Sequence, residues 1–109
     1  MSHLLQIPPE GILHLFHSDK PATREYIDKV LGVGDLLGGG IGSAEIEVVY
    51  EERECQLYFV PDPDRGVNDR ARALVADLFG WHMIFHGDVL IRDLTEDQVV
   101  EVMKKVASE

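Results

Sequence analysis

Alternating and helix-periodic apolar positions divide the chain into successive strands and helices. Residues Ile12–His17 predict a first strand, and because both of its faces are apolar we expect it at the centre of a sheet rather than at an edge. A first helix of about three turns is predicted to begin at Ser18-Asp19, which offers a cap, and to end at Gly32. These two elements open the predicted fold.

The clearest alternation predicts a β-hairpin. Ala44–Tyr50 alternates between an apolar face and a face that carries Glu45 and Glu47, which is typical of a half-buried strand. Residues 51–54 are polar and form the expected turn, and Cys55–Val60 is the expected partner strand. On the partner strand we expect inward side chains at Cys55, Leu57 and Phe59, and outward ones at Gln56 and Tyr58.

The second half of the chain predicts two helices and a strand. Apolar side chains recur at helical spacing over residues 67–79, and Asn68 or Asp64 is the expected cap of this helix. Residues 87–92 predict a last strand. Thr95-Glu96-Asp97-Gln98 has the spacing of a capping box, which predicts the start of a C-terminal helix.

The predicted order is βαββαβ followed by one further helix, which indicates an α+β protein. This order matches a ferredoxin-like antiparallel sheet of four strands with two helices on one face. The length of 109 residues predicts a single domain that spans residues 1–109. Six of ten glycines fall in residues 32–43, so we expect a flexible loop at Gly32–Ser43 between the first helix and the hairpin.

Composition excludes several classes of protein. Hydrophobic residues make up 45% of the chain and charged residues 28%, which is typical of a soluble globular domain and not of a disordered acidic tail. No apolar run is long enough to span a membrane, and no secretory signal is visible near the start, so we expect a cytoplasmic protein. The single cysteine, Cys55, excludes an internal disulfide and is expected to be a small buried hydrophobe.

The formal net charge of −10 is concentrated in the hairpin region. Residues 44–66 carry seven acidic and two basic side chains. The net charge of this segment is therefore −5, half of the −10 carried by the whole chain. Direct binding of nucleic acid or of an acidic membrane requires a basic face, and the chain has no such cluster. The acidic block is compatible with a solvated sheet face, or with a surface that binds a basic partner.

Candidate catalytic, metal and cofactor motifs are weak. The glycine-rich loop fits neither a Walker loop nor a dinucleotide-binding fingerprint, and no serine lies in a nucleophile elbow. His82 and His86 are four residues apart, but in an extended segment they would lie roughly 13 Å from each other, too far to share one ion. Glu45 and Glu47 on one exposed face favour solvation over acid–base catalysis. We therefore predict no catalytic residues, no metal site and no cofactor.

Three segments together resemble a family of small uncharacterised domains found in bacteriophages, plasmids and bacterial genomes. The segments are Gly38-Gly39-Gly40 followed by Ile46-Glu47, Asn68-x-x-Ala71, and Gly87-Asp88-Val89-Leu90. The resemblance spans about residues 26–106, although residues 41–45 separate the glycines from Ile46 more widely than in the family pattern. It implies an accessory protein of a phage or mobile element and carries no known activity.

Two binding functions remain open from the sequence, beside a third option of an enzyme, which would need a pocket that holds carboxylates or histidines. The first is an interaction protein that binds a host protein with a basic surface. The second is a protein that sequesters a nucleotide or another small ligand. A sheet with one open face is also compatible with a homodimer. The residues expected to bind a partner protein are Glu45, Glu47, Glu51, Glu52 and Glu54. The residues expected to bind a small ligand are Gly38, Gly39, Gly40, Arg65, Asn68, Arg70, Arg72 and Asp88.

Overall fold

A single antiparallel sheet joins the strands of the part of the chain that the computed structural model describes, which is residues 2–18, 23–32, 43–50 and 52–107. The strands are β1 (Ser2–Ile7), β2 (His14–Ser18), β3 (Ala44–Tyr50), β4 (Arg53–Phe59) and β5 (Val89–Arg92). The helices are α1 (Arg24–Leu31), α2 (Asp69–Phe79) and α3 (Glu96–Ala107). The α+β class is therefore confirmed.

The strand order is β2-β1-β5-β4-β3, with every neighbouring pair antiparallel. This arrangement does not confirm the ferredoxin-like prediction, because the chain opens with a strand that the sequence pattern did not indicate. The added strand is β1, which lies between β2 and β5 and has buried side chains at Leu4, Leu5 and Ile7. The expected central position of Ile12–His17 is also wrong, because β2 is an edge strand of the described sheet.

Helices cover both faces of the sheet. On one face, α2 and α3 pack on the larger core, to which the sheet contributes alternate residues such as Leu57 and Ile91. On the other face, α1 packs through Ile27 and Leu31 on a smaller cluster that includes Tyr58. The expectation that Gln56 and Tyr58 point to solvent is therefore wrong, since they are only 9% and 1% exposed. A three-layer arrangement follows, where the sequence predicted two layers.

The helix ends are set by local hydrogen bonds. The N-cap of α1 is Thr23, whose hydroxyl accepts from the Tyr26 amide, so the predicted start at Ser18-Asp19 is wrong and Ser18 ends β2. At the other end of α1, Gly32 adopts a left-handed conformation (φ +80°), as its predicted role as a helix stop requires. Helix α1 is consequently eight residues long, shorter than the predicted three turns.

The predicted caps of α2 and α3 are confirmed. The Asn68 side chain accepts a hydrogen bond from the Ala71 amide at 3.0 Å at the start of α2. Thr95 and Gln98 form a reciprocal capping box: the Thr95 amide donates to Gln98 Oε1 at 2.9 Å, and the Gln98 amide donates to Thr95 Oγ1 at 3.2 Å. Gln98 Nε2 also donates to the Tyr50 carbonyl, which ties α3 to the hairpin end.

The predicted hairpin is confirmed, but the expected turn at residues 51–54 is too long, because β4 begins at Arg53 and pairs that residue with Tyr50 across the turn. Glu52 in this turn has φ +65°, a left-handed backbone conformation that residues other than glycine rarely adopt. Replacing Glu52 with Gly should therefore raise the free energy of unfolding by about 0.5–1 kcal/mol, because glycine adopts this conformation without steric strain. Urea unfolding of the variant measures the change, and a Glu52→Ala variant, which keeps the strain, should show no gain.

Candidate functional site

An exposed acidic surface surrounds the end of the β3–β4 hairpin. Glu47 and Val49 lie on one face of β3, and Val49 pairs directly with Glu54 of β4. Glu52 lies in the turn between the strands, and Val49 is 60% exposed. None of the ion pairs among the described residues involves Glu47, Glu52 or Glu54. We call these four residues (Glu47, Val49, Glu52 and Glu54) the hairpin patch; Glu51, also predicted here, lies outside the described residues.

Glu45 belongs to a different environment. Its carboxylate accepts a hydrogen bond from Arg24 Nη1 at 3.0 Å, and the same guanidinium donates to the Ser43 carbonyl at 2.6 Å. The Ser43 hydroxyl in turn donates to Asp28. Arg24 thereby joins the start of α1 to the start of β3 and places a positive charge beside the Glu45 carboxylate. Of the predicted acidic residues that the structure describes, Glu45 is the one engaged in an internal ion pair.

Tyr58 packs against α1 on the face of the sheet that also carries Glu47 and Val49 of the hairpin patch. The guanidinium carbons of Arg24 and Arg92 lie 5.3 and 5.4 Å from the centre of the Tyr58 ring, within the range of cation–π contacts. Arg92 also donates to Gln56 Oε1 and pairs with Asp93. Burial raises the pKa of the Tyr58 phenol, and nearby Arg92 opposes that rise. Arg24 and Arg92 are thus engaged with groups of the protein itself, while the acidic side chains of the patch are exposed.

The residues predicted for a small ligand are largely engaged in holding the fold together. Asn68 is fully buried, and its amide nitrogen donates to the carbonyls of Ile7 at 2.8 Å and of Gly87 at 2.9 Å. Its side-chain oxygen caps α2, and its main-chain amide donates to the Phe85 carbonyl at 2.8 Å. Asn68 therefore connects β1, the start of α2 and the segment before β5, and its polar atoms are occupied within the protein.

Arg65 lies across Gly87 and reaches the end of α1. Its Nη1 donates to the Leu31 carbonyl at 2.9 Å, one of the carbonyls that a helix leaves without a partner at its C-terminus. Gly87 has φ +74°, and a Cβ atom at this position would lie 2.9 Å from Arg65 Cδ. The backbone conformation thus favours glycine here, and a larger residue would also require the Arg65 side chain to shift. This conformation explains the glycine in the Gly87-Asp88-Val89-Leu90 segment.

The other residues predicted to bind a small ligand each contact a different part of the chain. Arg70 donates to the Gly11 carbonyl at 2.7 Å and so links α2 to the β1–β2 connection. Arg72 is exposed and lies 3.6 Å from Asp69, one turn earlier on the same helix. Asp88 accepts a hydrogen bond from Gln6 Nε2 at 2.7 Å. Gly38, Gly39 and Gly40 lie outside the described residues. The described contacts of Arg65, Asn68, Arg70, Arg72 and Asp88 are therefore with other residues of the chain.

The histidines and acidic residues show no metal-binding arrangement within the described part of the chain: no three His, Cys, Asp or Glu side chains are grouped to hold an ion. His86 Nδ1 lies 3.0 Å from the Arg65 carbonyl, and His82 is exposed in the segment after α2.

Among the helices that the structure describes, none has the length and apolar character to span a membrane.

Cys55 is buried on β4, as its inward position in the sequence predicted. Burial raises the pKa of its thiol above the ordinary value of 9.0, with Arg53 opposing the rise. Because the thiolate is the reactive form, we expect native Cys55 to resist alkylation at pH 8 and to react once the chain is unfolded. Because the pKa of the Cys55 thiol is higher in the folded protein, the thiol of the unfolded chain ionises at a lower pH. Ionisation therefore stabilises the unfolded chain first, and the free energy of unfolding should fall as the pH rises above 9. Mass spectrometry of iodoacetamide-treated samples measures the alkylation of Cys55. Rapid labelling of the native protein would contradict the buried position of Cys55.

Comparison of the chain with protein-family models, with curated proteins and with solved structures gives no significant match. The resemblance to small domains of phages and plasmids thus stays a prediction from the three short segments described above. The assignment of function rests on the geometry of the chain itself.

Proposed function

We propose that the protein acts by binding a partner protein that has a basic surface, and that the hairpin patch is the binding site. The observation that carries this proposal is the combination of three outward carboxylates with an exposed apolar side chain at their centre. Glu47 precedes Val49 by two residues on the same face of β3, and Glu54 is its direct cross-strand neighbour. Exposed carboxylates and single exposed apolar side chains are each common on protein surfaces, so the proposal rests on the two lying together in one patch.

Charge and apolar area have complementary roles in such an interface. Carboxylates that are not paired within the protein attract a basic partner over several ångströms and orient it during encounter. The apolar side chain at the centre then contributes affinity through burial, which for a valine is on the order of 1.5 kcal/mol. The patch therefore fits a partner whose Lys or Arg side chains surround a small apolar contact.

The biological setting that we propose follows from the family resemblance and from composition. The protein would be an accessory protein of a bacteriophage or mobile element that acts in the bacterial cytoplasm on a host protein. Catalysis forms no part of this proposal, because the described residues offer an interaction surface and their buried polar groups serve the fold. The partner is defined by its basic surface.

Matched charge variants test the proposal. The hairpin variant carries Glu47→Gln, Glu52→Gln and Glu54→Gln, and the control variant carries Glu10→Gln, Asp64→Asn and Glu101→Gln at exposed positions elsewhere. Both variants change the formal charge from −10 to −7. Quantitative capture from bacterial lysate should lose basic partner proteins with the hairpin variant and retain them with the control. Equal capture by the two variants would contradict the proposal.

A further inference from the structure

The hairpin patch continues into an edge of the sheet, along β3, with which no further described strand pairs. Strand β3 pairs with β4 on one side, and among the described residues no strand pairs with its other side. In an antiparallel sheet, alternate residues of an edge strand direct their backbone N–H and C=O groups away from the neighbouring strand. Such an edge is a template for another extended chain. Alternate residues of β3 therefore offer their backbone groups beside the acidic side chains.

We infer that the partner is recognised as an extended basic segment that adds a sixth strand to the sheet along β3. The inference rests on the proposed function, and it specifies how the basic partner is held. Backbone hydrogen bonds would supply part of the affinity, as in other complexes formed by strand addition. Side-chain alternation would supply specificity, because successive residues of the added strand face opposite sides of the sheet.

The side chains of β3 define which sequence the edge favours. On the outward face, Glu47 and Val49 would lie beside the added strand, and opposite charges on neighbouring strands are stabilising. On the other face, Ala44 and Ile46 are only partly buried and pack at the border of the larger core. An added strand that alternates basic and apolar residues would therefore place Lys or Arg on the acidic face and apolar side chains against Ile46.

A second copy of the chain fits this edge less well. Antiparallel pairing of two β3 strands with full overlap places Ala44 opposite Tyr50 of the other copy, which sets Glu47 opposite Glu47. Like charges directly opposite each other destabilise a sheet. The two chains would also each carry a formal charge of −10. Charge thus favours a basic peptide over self-association at β3.

Selective N-methylation of a probe peptide tests the inference. The probe is the heptapeptide Lys-Val-Lys-Val-Lys-Val-Lys, and two further versions carry N-methyl groups on its odd or on its even amides. N-methylation removes the hydrogen-bond donor and leaves the charge unchanged. Because alternate amides face β3, one methylated version should bind at least about tenfold more weakly, and the other should bind within about twofold of the unmethylated peptide. Chemical-shift changes in the amides of residues 44–50 should accompany binding.

The outcomes separate this inference from the proposed function. If both methylated versions bind as tightly as the parent peptide, and the hairpin variant still weakens binding, then the patch binds basic chains without strand addition and the inference is wrong. If the parent peptide binds no more weakly to the hairpin variant than to the control variant, the proposed function fails as well. Changes in sedimentation that indicate a dimer through β3 would also overturn the inference.

Discussion

Replacing Asn68 with Ala should lower the free energy of unfolding by at least about 3 kcal/mol, because three separate interactions are lost together. The N-cap of α2 loses its acceptor, and the carbonyls of Ile7 and Gly87 lose a buried donor. A missing cap costs about 1 kcal/mol, and a buried carbonyl left without its partner costs about 1–3 kcal/mol. Urea unfolding followed by circular dichroism measures the change.

A serine at the same position provides the control. Ser is a good N-cap, so Asn68→Ser should keep the start of α2 while it removes the two long-range hydrogen bonds. We expect its loss of stability to be about 1 kcal/mol smaller than that of Asn68→Ala. If both variants lose less than about 1 kcal/mol, the role of Asn68 as a junction between β1, α2 and the segment before β5 is wrong.

Replacing Phe85 with Ala should lower the free energy of unfolding by about 3–5 kcal/mol, the range typical of a buried aromatic side chain. Phe85 is 1% exposed, and its ring packs edge to face on Phe59 with centroids 5.1 Å apart. The segment that carries it is irregular, and it is held by this packing together with two backbone hydrogen bonds, from Asn68 to the Phe85 carbonyl and from Gly87 to the Gly66 carbonyl. Thermal and urea unfolding both report the loss.

Two comparisons make the Phe85 prediction specific. Phe85→Leu keeps most of the buried volume and should lose about 1–1.5 kcal/mol. Ile84→Ala, the neighbouring change at a side chain that is 62% exposed, should alter stability by less than about 0.5 kcal/mol. A loss at Ile84 equal to that at Phe85 would show that the segment is arranged differently from the structure described above.

Local signals were predicted correctly from the sequence. The capping box at Thr95 and Gln98, the cap at Asn68 and the stop at Gly32 each depend on residues within one turn of a helix. The alternation of Ala44–Tyr50 likewise identified the exposed face of β3 that carries Glu45 and Glu47. These features follow from the sequence because their causes are local.

Features set by distant partners were missed. Strand β1 shows little alternation, because helices on both faces bury its side chains, and its central place depends on pairing with β5 more than 80 residues later. Tyr58 was expected to face solvent, and it is buried because α1 covers that face. No periodicity in β4 itself carries information about a helix that lies elsewhere in the chain.

The candidate site was predicted in part. The acidic residues of the hairpin were identified from charge and alternation alone, which are local properties. The pairing of Glu45 with Arg24 was missed, because the two residues are 21 positions apart and meet only when α1 packs beside β3. Asn68 and Arg65 were recognised as notable, but their engagement in long-range backbone contacts became visible only in the structure.

The central claim is that the carboxylates of the hairpin patch, rather than the net charge of −10, select the partner. The most direct test is calorimetric titration of the Lys-Val heptapeptide into the native chain, the hairpin variant and the equally charged control variant at two salt concentrations. We expect binding to weaken at least about tenfold in the hairpin variant and less than about twofold in the control, with a stronger salt dependence in the native chain. Equal weakening in both variants would show that the peptide responds to net charge alone and would contradict the claim.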